Sequence, residues 1–220
     1  MENTRELKDL ISPYLLGLGF DQIELDEENL ILRFETTIHN GLVKHISFGG
    51  VPSAYIKSNN VKEHLIRLIT NDDFLTIRNH LISEELTQAE VSVFRDLPFK
   101  TKADREAYLA RLQQHIEEYV LPFFELYPDL QTFHDTVLDK IPFEDKLKYI
   151  PGECNIKSLI IFKLFNNPKL KKLQEHLLEG CDKAMVERPD WKHFFEEDKR
   201  NYLKTIEYLE SDEFKAVQNE

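Results

Sequence analysis

Three polar residues of one predicted hairpin, Arg33, Glu35 and His45, have the types and spacing that could support chemistry. The predicted pairing of the two strands places Glu35 directly opposite His45. A carboxylate beside an imidazole can serve general acid–base catalysis or bind a ligand. The simpler interpretation is a solvated cross-strand pair, which contributes only a few tenths of a kcal/mol to stability. The sequence leaves both interpretations open.

The register of this hairpin follows from its hydrophobic pattern. The large apolar side chains of the two strands share one face only if residues 39–41 form a three-residue loop, which pairs Phe34 with Ile46. A two-residue turn at Asn40-Gly41 would place these side chains on opposite faces. The sequence therefore predicts a type I turn, with Gly41 in the left-handed region as part of a bulge.

Signatures of other chemistry are absent from the sequence. It contains eight histidines, but no two have the i, i+4 spacing of a helical metal site, and no H-E-x-x-H motif occurs. There is no nucleophile elbow, Walker A loop or G-x-G-x-x-G motif. The two cysteines, Cys154 and Cys181, suit reduced core thiols rather than a disulfide framework. This pattern favours a protein without a metal, a cofactor or catalytic activity.

Composition and charge narrow the class of protein. The 220 residues include 28 Lys and Arg against 40 Asp and Glu, giving a net charge of −12, and 41% are hydrophobic. This mixture is typical of a globular chain. The acidic balance disfavours nonspecific binding to nucleic acid, and no apolar run approaches the ~20 residues of a membrane span. With a charged N-terminus that does not resemble a signal peptide, we expect a cytoplasmic protein.

The elements that position the hairpin indicate the fold class. We expect one α+β domain over residues 1–220, in which residues 1–97 form an N-terminal helix and an antiparallel sheet of three to five strands. Residues 98–220 are predicted to be an all-helical half packed on that sheet. Residues 156–165 are apolar on most sides and should form the most buried helix. Helices at residues 170–187 and 191–209 are expected to pack around it.

Several shorter segments carry weaker signals. Residues 53–57 suit a fourth strand, and Asn59-Asn60 is expected to cap a following helix. Thr101 with Asp104 should open the long helix of the second half. The sequence also predicts a helix at residues 72–82, a short strand at residues 89–97 and a frayed end at residues 211–220.

Aromatic residues cluster in two places in the helical half. If both members of a Phe-Phe pair were buried, their helix would need contacts on adjacent sides. One member of each pair could therefore face a groove between the helical half and the sheet, and an exposed aromatic patch on an acidic protein suggests a protein partner. The alternative is that both clusters close the core. The clusters are Phe123, Phe124, Tyr127 and Phe133, and then Trp191, Phe194, Phe195 and Tyr202.

Short motifs between residues 7 and 140 occur in a recognisable order: Leu16-Gly17-Leu18-Gly19-Phe20, His45-Ile46-Ser47-Phe48, Ala54-Tyr55-Ile56-Lys57, Leu97-Pro98-Phe99 and Tyr119-Val120-Leu121-Pro122-Phe123-Phe124. In this order they resemble an uncharacterised bacterial family of small α+β domains, catalogued as a domain of unknown function. That family is similar to immunity-type proteins found near polymorphic toxins. The chain departs from the family pattern after Phe48, where Gly49-Gly50 replaces a strand end that contains glutamine. The resemblance supplies no catalytic residue.

These observations give two functional hypotheses. The first is a non-enzymatic, immunity-like module whose acidic surface steers it to a basic protein partner, such as a nuclease toxin. The second is a small-molecule-binding protein or enzyme with a site between sheet and helices, built from Arg33, Glu35 and His45 or from hydrogen-bond donors near Gly49.

Overall fold

The computed structural model describes residues 2–26, 31–38, 41–48, 52–69, 74–79 and 101–218. The chain forms two compact units, of which the first comprises residues 1–57 and 77–129 and the second residues 58–76 and 130–220. Each unit draws on both halves of the chain. The expected α+β class is confirmed, whereas the single domain over residues 1–220 stays a prediction.

Among the described residues, five strands form an antiparallel sheet in which spatial order follows chain order. They are β1 Asp21–Asp26, β2 Ile31–Thr37, β3 Leu42–Phe48, β4 Ser53–Ser58 and β5 Leu75–Arg78. The helices are α1 Glu2–Gly17, α2 Asn59–Leu65, α3 Lys102–His115, α4 Leu121–Leu126, α5 Leu130–Phe133, α6 Cys154–Leu164, α7 Leu170–Glu187, α8 Lys192–Glu210 and α9 Asp212–Gln218. Shorter helical turns are the π turns Ile116–Val120 and His134–Leu138 and the 3₁₀ turns Phe143–Lys148 and Pro189–Trp191.

A Schellman motif ends α1 and directs the chain into β1. Gly19 has a φ of 82°. The Phe20 amide donates to the Leu15 carbonyl and the Gly19 amide to the Leu16 carbonyl, each at 3.0 Å. Phe20 and Leu15 are both buried, which adds the hydrophobic contact that usually accompanies this motif.

The predicted register of the β2–β3 hairpin is confirmed. Phe34 pairs with Ile46. The Ile38 amide donates to the Leu42 carbonyl at 2.7 Å, which closes the pairing next to the loop. Gly41 has a φ of 72°, in the left-handed region that its place in the loop predicts.

One face of the sheet forms the core of the first unit. Helix α1 contacts β1 and β2, and its Ile11 and Leu15 are fully buried. Phe34 and Phe48 meet edge to face, with ring centroids 6.0 Å apart. The apolar side chains of the hairpin are therefore covered, as the shared face requires. The buried set is Leu32, Phe34, Leu42, Ile46 and Phe48.

Helix α3 begins at the predicted capping box. The Thr101 hydroxyl accepts a hydrogen bond from the Asp104 amide at 3.1 Å, and the Asp104 carboxylate accepts one from the Thr101 amide at 2.9 Å. The backbone amides of Thr101 and Asp104 are thereby both hydrogen-bonded.

Phe123 and Phe124 are both buried, so for this cluster the alternative that the rings close the core is confirmed, and the possibility that one of them faces a groove is wrong. The π turn Ile116–Val120 precedes them, and its wider turn changes the faces that the following residues present. The Phe124 ring lies 6.0 Å from Phe20, and the Phe123 ring lies 5.8 Å from Tyr127. The two rings thus find separate partners on adjacent sides of α4.

The segment expected to be a helix at residues 72–82 contains strand β5, so that expectation is wrong for Leu75–Arg78. Thr76 and Ile77 are both fully buried. A short strand with two covered faces shows no alternation, which is why periodicity misassigned it. The strand expected at residues 89–97 lies outside the described residues.

The junction of β4 and α2 is capped one residue earlier than expected. Ser58, rather than Asn59-Asn60, is the N-cap, and its hydroxyl accepts a hydrogen bond from the Val61 amide at 3.4 Å. The Ser58 amide in turn donates to the Thr76 hydroxyl at 3.0 Å. Ser58 therefore links the junction of β4 and α2 to β5.

Helix α6 is the buried helix that the sequence predicts. Every residue from Ile156 to Phe162 is buried, and α2, α7 and α8 all contact the helix. Helices α7 and α8 also pack on each other, as expected for the predicted pair. Leu164 is only half-buried.

A lysine lies inside this buried helix. Lys157 is fully buried, and its amino group donates to the Leu75 carbonyl at 2.7 Å and to the Pro151 carbonyl at 2.9 Å. A buried ammonium group is costly unless it is hydrogen-bonded. These two carbonyls supply that compensation.

The end of the chain is more ordered than expected, because residues 212–218 form helix α9. The Ser211 hydroxyl accepts a hydrogen bond from the Phe214 amide at 3.2 Å. Phe214 is 1% exposed and stacks on His64, with ring centroids 4.1 Å apart. This buried contact holds the last helix, so the expectation of fraying is wrong for its residues.

Replacing Leu159 in α6 with alanine should lower the free energy of unfolding by about 2–5 kcal/mol, because the side chain is fully buried and leaves a cavity. Urea denaturation measures the change. Leu203→Ala on α8, where the side chain is 49% exposed, is the matched control and should cost less than about 0.5 kcal/mol. Equal losses for both variants would contradict the burial of α6.

Gly41→Ala should destabilise the protein by about 1–2 kcal/mol, because alanine resists the positive φ of this position. Gly17→Ala is the matched control, since nothing lies within 4 Å of an added Cβ at the end of α1. There the better helix former should be neutral or slightly stabilising. Thermal denaturation measures both variants. A melting temperature of Gly41→Ala that equals or exceeds that of Gly17→Ala would contradict the loop geometry.

Candidate functional site

Glu35 and His45 meet on one face of the hairpin, as the sequence predicts. The structure pairs the two residues across β2 and β3, and His45 Nδ1 lies 2.9 Å from Glu35 Oε1. Lys57 on β4 joins them, because its amino group donates to the same carboxylate oxygen. Sequence reasoning missed this third member. Its signal is the alternation of β4, which places Tyr55 and Lys57 on the face opposite buried Ala54 and Ile56.

Arg33 is not joined to this cluster by a hydrogen bond. It pairs with Glu24 across β1 and β2, with Arg33 Nη1 at 2.5 Å from Glu24 Oε2. A β-bulge between Gln22 and Glu24 shifts the register of β1 at this point. The three predicted residues therefore lie on neighbouring strands, but they form two separate ion-pair groups.

Burial sets the ionisation of the imidazole. The pKa of His45 is lowered, first by burial and then by the Lys57 ammonium, although the hydrogen bond with Glu35 acts in the opposite direction. Burial tends to raise the pKa of Glu35, but the hydrogen bonds from Lys57 and His45 lower it overall. At neutral pH the pair is therefore a carboxylate beside a neutral imidazole.

This protonation state fixes which nitrogen of His45 carries the proton. The Glu35 carboxylate can only accept, so Nδ1 must donate and Nε2 must be unprotonated. Within the described residues, Nε2 of His45 has no hydrogen-bond partner. A carboxylate-oriented imidazole of this kind can act as a general base or as a metal ligand.

Access limits that chemistry. The side chain of His45 is 3% exposed, and the Tyr55 ring lies 6.0 Å from the imidazole. No group of three or more metal-ligating side chains occurs in the part of the chain that the structure describes. The cluster of Glu35, His45 and Lys57 is therefore well built as a cross-strand ionic network and poorly open to a substrate.

The second aromatic cluster differs from the first in its exposure. Trp191 is 57% exposed and Phe194 is 49% exposed, whereas Phe123, Phe124 and Tyr127 are buried. The rings of Trp191 and Phe194 lie 5.5 Å apart where the 3₁₀ turn Pro189–Trp191 leads into α8. The His193 ring lies 3.9 Å from that of Phe194. We call Trp191, His193 and Phe194 the aromatic tip.

The other members of this cluster lie deeper. Phe195 and Tyr202 are half-buried, and the Asn155 amide donates to the Tyr202 hydroxyl at 2.8 Å. In this second Phe-Phe pair, Phe194 is thus the exposed member. The tip belongs to the surface, and the hydrogen bond of Tyr202 with Asn155 links α8 to α6.

The two cysteines are free thiols. Burial and the carboxylates of Asp198 and Asp182 raise the pKa of Cys181, which keeps this thiol protonated and unreactive. Cys154 is half-buried at the start of α6. None of the described helices has the length and apolarity that crossing a membrane requires.

Comparison with protein-family models, with curated proteins and with solved structures gave no significant match to this chain.

The stability of the protein should fall between pH 7 and pH 5 in a manner that depends on His45. Its pKa is lower in the folded protein than the ordinary value near 6.5, so the unfolded chain binds protons first and is favoured as the pH falls. His45→Asn keeps a donor near the position of Nδ1 but does not titrate. We expect this variant to lose less stability than the parent protein over that pH range.

Urea denaturation at both pH values measures this difference. The exposed His193, replaced with asparagine in the same way, is the matched control. An unchanged pH dependence in His45→Asn would show that burial does not hold the imidazole neutral.

Proposed function

We propose that the protein is a non-enzymatic protein-binding module that docks a basic protein partner through the aromatic tip. The observation that carries the proposal is the exposure of Trp191, the one tryptophan of the chain. Tryptophan is the residue most enriched at the energetic centres of protein interfaces. An exposed Trp–Phe pair at a helix junction is the kind of anchor that such interfaces use.

The area of the tip supports a useful contribution to binding. Aromatic side chains bury about 150–250 Å² each when fully covered. Because roughly half of Trp191 and of Phe194 is still exposed, a partner could cover about 100 Å² of each ring. At about 25 cal/mol per Å², that burial would contribute about 5 kcal/mol before the costs of association.

Charge supports a basic partner rather than a second copy of the chain. The net charge of −12 attracts a cationic protein over long range and speeds its association at low salt. Two copies of this chain would repel each other by the same field. Within the tip region, Lys192 pairs with Glu196 and Lys183 with Glu187, so these lysines already have acidic partners.

The resemblance to immunity-type proteins agrees with this chemistry. An inhibitor of a nucleic-acid-cleaving toxin needs an acidic surface, because such enzymes bind a polyanion through basic residues. We therefore extend the proposal to an immunity-like role, with a basic toxin as the partner class.

The single tryptophan makes the proposal testable without a label. Purified basic proteins encoded beside the gene are titrated into the protein, and the emission of Trp191 is followed at low and high salt. Binding should shift the emission to shorter wavelength, because Trp191 leaves water, and its affinity should fall as salt rises. Sedimentation of the protein alone tests self-association, which would assign the tip to a second copy instead.

Phe194→Ala should weaken this binding by about tenfold or more, since it removes a central aromatic contact worth over 1 kcal/mol. Calorimetry measures the affinity. Leu147→Ala, at a position 59% exposed outside the tip, is the matched control and should bind as the parent does. A partner that binds both variants with equal affinity would remove the tip from the interface.

A second candidate function rests on the neutral imidazole of His45, whose Nε2 lacks a hydrogen-bond partner within the described residues. It is a small-molecule or enzymatic site on the hairpin face, built from Glu35 and His45 with Arg33 beside them. The low exposure of His45 places it second. Carbethoxylation located by mass spectrometry separates the two cases, because a covered imidazole resists the reagent and an open one reacts.

A further inference from the structure

A cavity of about 460 Å³ lies in the second compact unit, and none of the residues that line it belongs to the aromatic tip. Residues from α2, α5, α6 and α9 line it. Its volume is within the range of about 300–1,000 Å³ that small-molecule sites occupy.

The walls of the cavity combine apolar and polar surfaces. Leu130, Leu164, Phe165 and Val217 supply apolar side chains that would contact a hydrophobic ligand body. The polar lining residues all belong to α2: they are the exposed Asn59, Asn60 and Glu63 and the buried His64. No lysine or arginine is among these lining residues.

His64 is the polar group that is fixed in the cavity wall. Its side chain is 1% exposed, with Nδ1 at 2.9 Å from the Tyr208 hydroxyl. Phe214 stacks on one side of the imidazole, and Tyr208 meets it edge to face at 5.9 Å. Within the described residues, Nε2 of His64 has no hydrogen-bond partner. Nε2 is therefore available to pair with a molecule in the cavity.

The neighbours of His64 determine what Nε2 offers. Burial and the Arg67 guanidinium lower the pKa of His64 to about 4, so the imidazole is neutral at neutral pH. The contact of Nδ1 with the Tyr208 hydroxyl leaves Nε2 as the ring nitrogen that is available to a ligand.

We propose that this cavity binds a small, neutral or cationic aromatic molecule. A phenol hydroxyl or a similar polar group of the ligand pairs with Nε2 of His64, and a donor or ammonium group meets the Glu63 carboxylate. The apolar side chains cover the ring, and the asparagine amides add hydrogen bonds at the rim. Anionic ligands are disfavoured, since they would meet the Glu63 carboxylate and no cation among the lining residues. This site is independent of the aromatic tip.

Three ligands with the same phenol test the charge preference. Tyramine carries an ammonium group, para-ethylphenol is neutral, and para-hydroxyphenylacetate carries a carboxylate. Each is titrated into the isotope-labelled full chain while NMR follows the imidazole signals of His64. Tyramine should bind at least about tenfold more tightly than para-hydroxyphenylacetate, which is the effect of one favourable charge contact. The His64 signals should shift with tyramine and with para-ethylphenol.

Variants at exposed positions keep the fold and test the geometry. Glu63→Gln should reduce the affinity for tyramine to that for para-ethylphenol. Asn60→Trp should block the cavity and abolish the shifts, whereas Asn201→Trp, an exposed asparagine on α8, should leave them unchanged. Trp191→Ala should also bind tyramine as the parent does, because the tip is separate.

Two results would overturn the proposal. The first is an absence of His64 shifts with all three phenols, which assigns the cavity to water alone. The second is binding of para-hydroxyphenylacetate that equals binding of tyramine, or binding that survives Asn60→Trp.

Discussion

The second compact unit depends on the burial of helix α6. Seven consecutive residues, Ile156 to Phe162, are buried, so the helix has no face that can remain in water. Elements must therefore surround it, and α2, α7 and α8 do so. The amino group of Lys157 adds a second constraint, because it must be hydrogen-bonded wherever the helix lies. The carbonyls of Leu75 and Pro151 meet that need, which holds two distant chain segments against one helix.

The cavity begins where the burial of α6 ends. Leu164 and Phe165 are half-buried and line the cavity, whereas Ile156 to Phe162 are buried. His64 reaches the same space from α2, and Phe214 of α9 holds its ring from one side. The same packing that covers α6 thus leaves an incomplete wall at its end, and it fixes one buried imidazole in that wall.

The sequence predicts the structure correctly where a hydrophobic pattern is compatible with one arrangement alone. A one-residue slip of the β2–β3 hairpin would expose Ile46 and Phe48, so the register and the Glu35–His45 contact were both predictable. The prediction fails where distant contacts decide. Strand β5 shows no alternation, Lys57 reaches Glu35 from a strand whose pairing the sequence does not specify, and α9 is held by the contact of Phe214 with His64. The burial of both Phe123 and Phe124 follows a π turn that has no local sequence signal.

The two aromatic clusters show why composition alone does not locate a binding surface. Both contain paired phenylalanines, yet Phe123 and Phe124 are buried while Trp191 and Phe194 are exposed. The two clusters differ in their packing, since the rings of Phe20 and Tyr127 contact those of Phe124 and Phe123. Exposure shows which aromatic cluster could bind a partner, and charge adds a preference for the kind of partner. The net charge that favours a basic partner at the tip and the Glu63 carboxylate of the cavity are both negative, so the proposed protein partner and the proposed small ligand are selected by the same sign of charge.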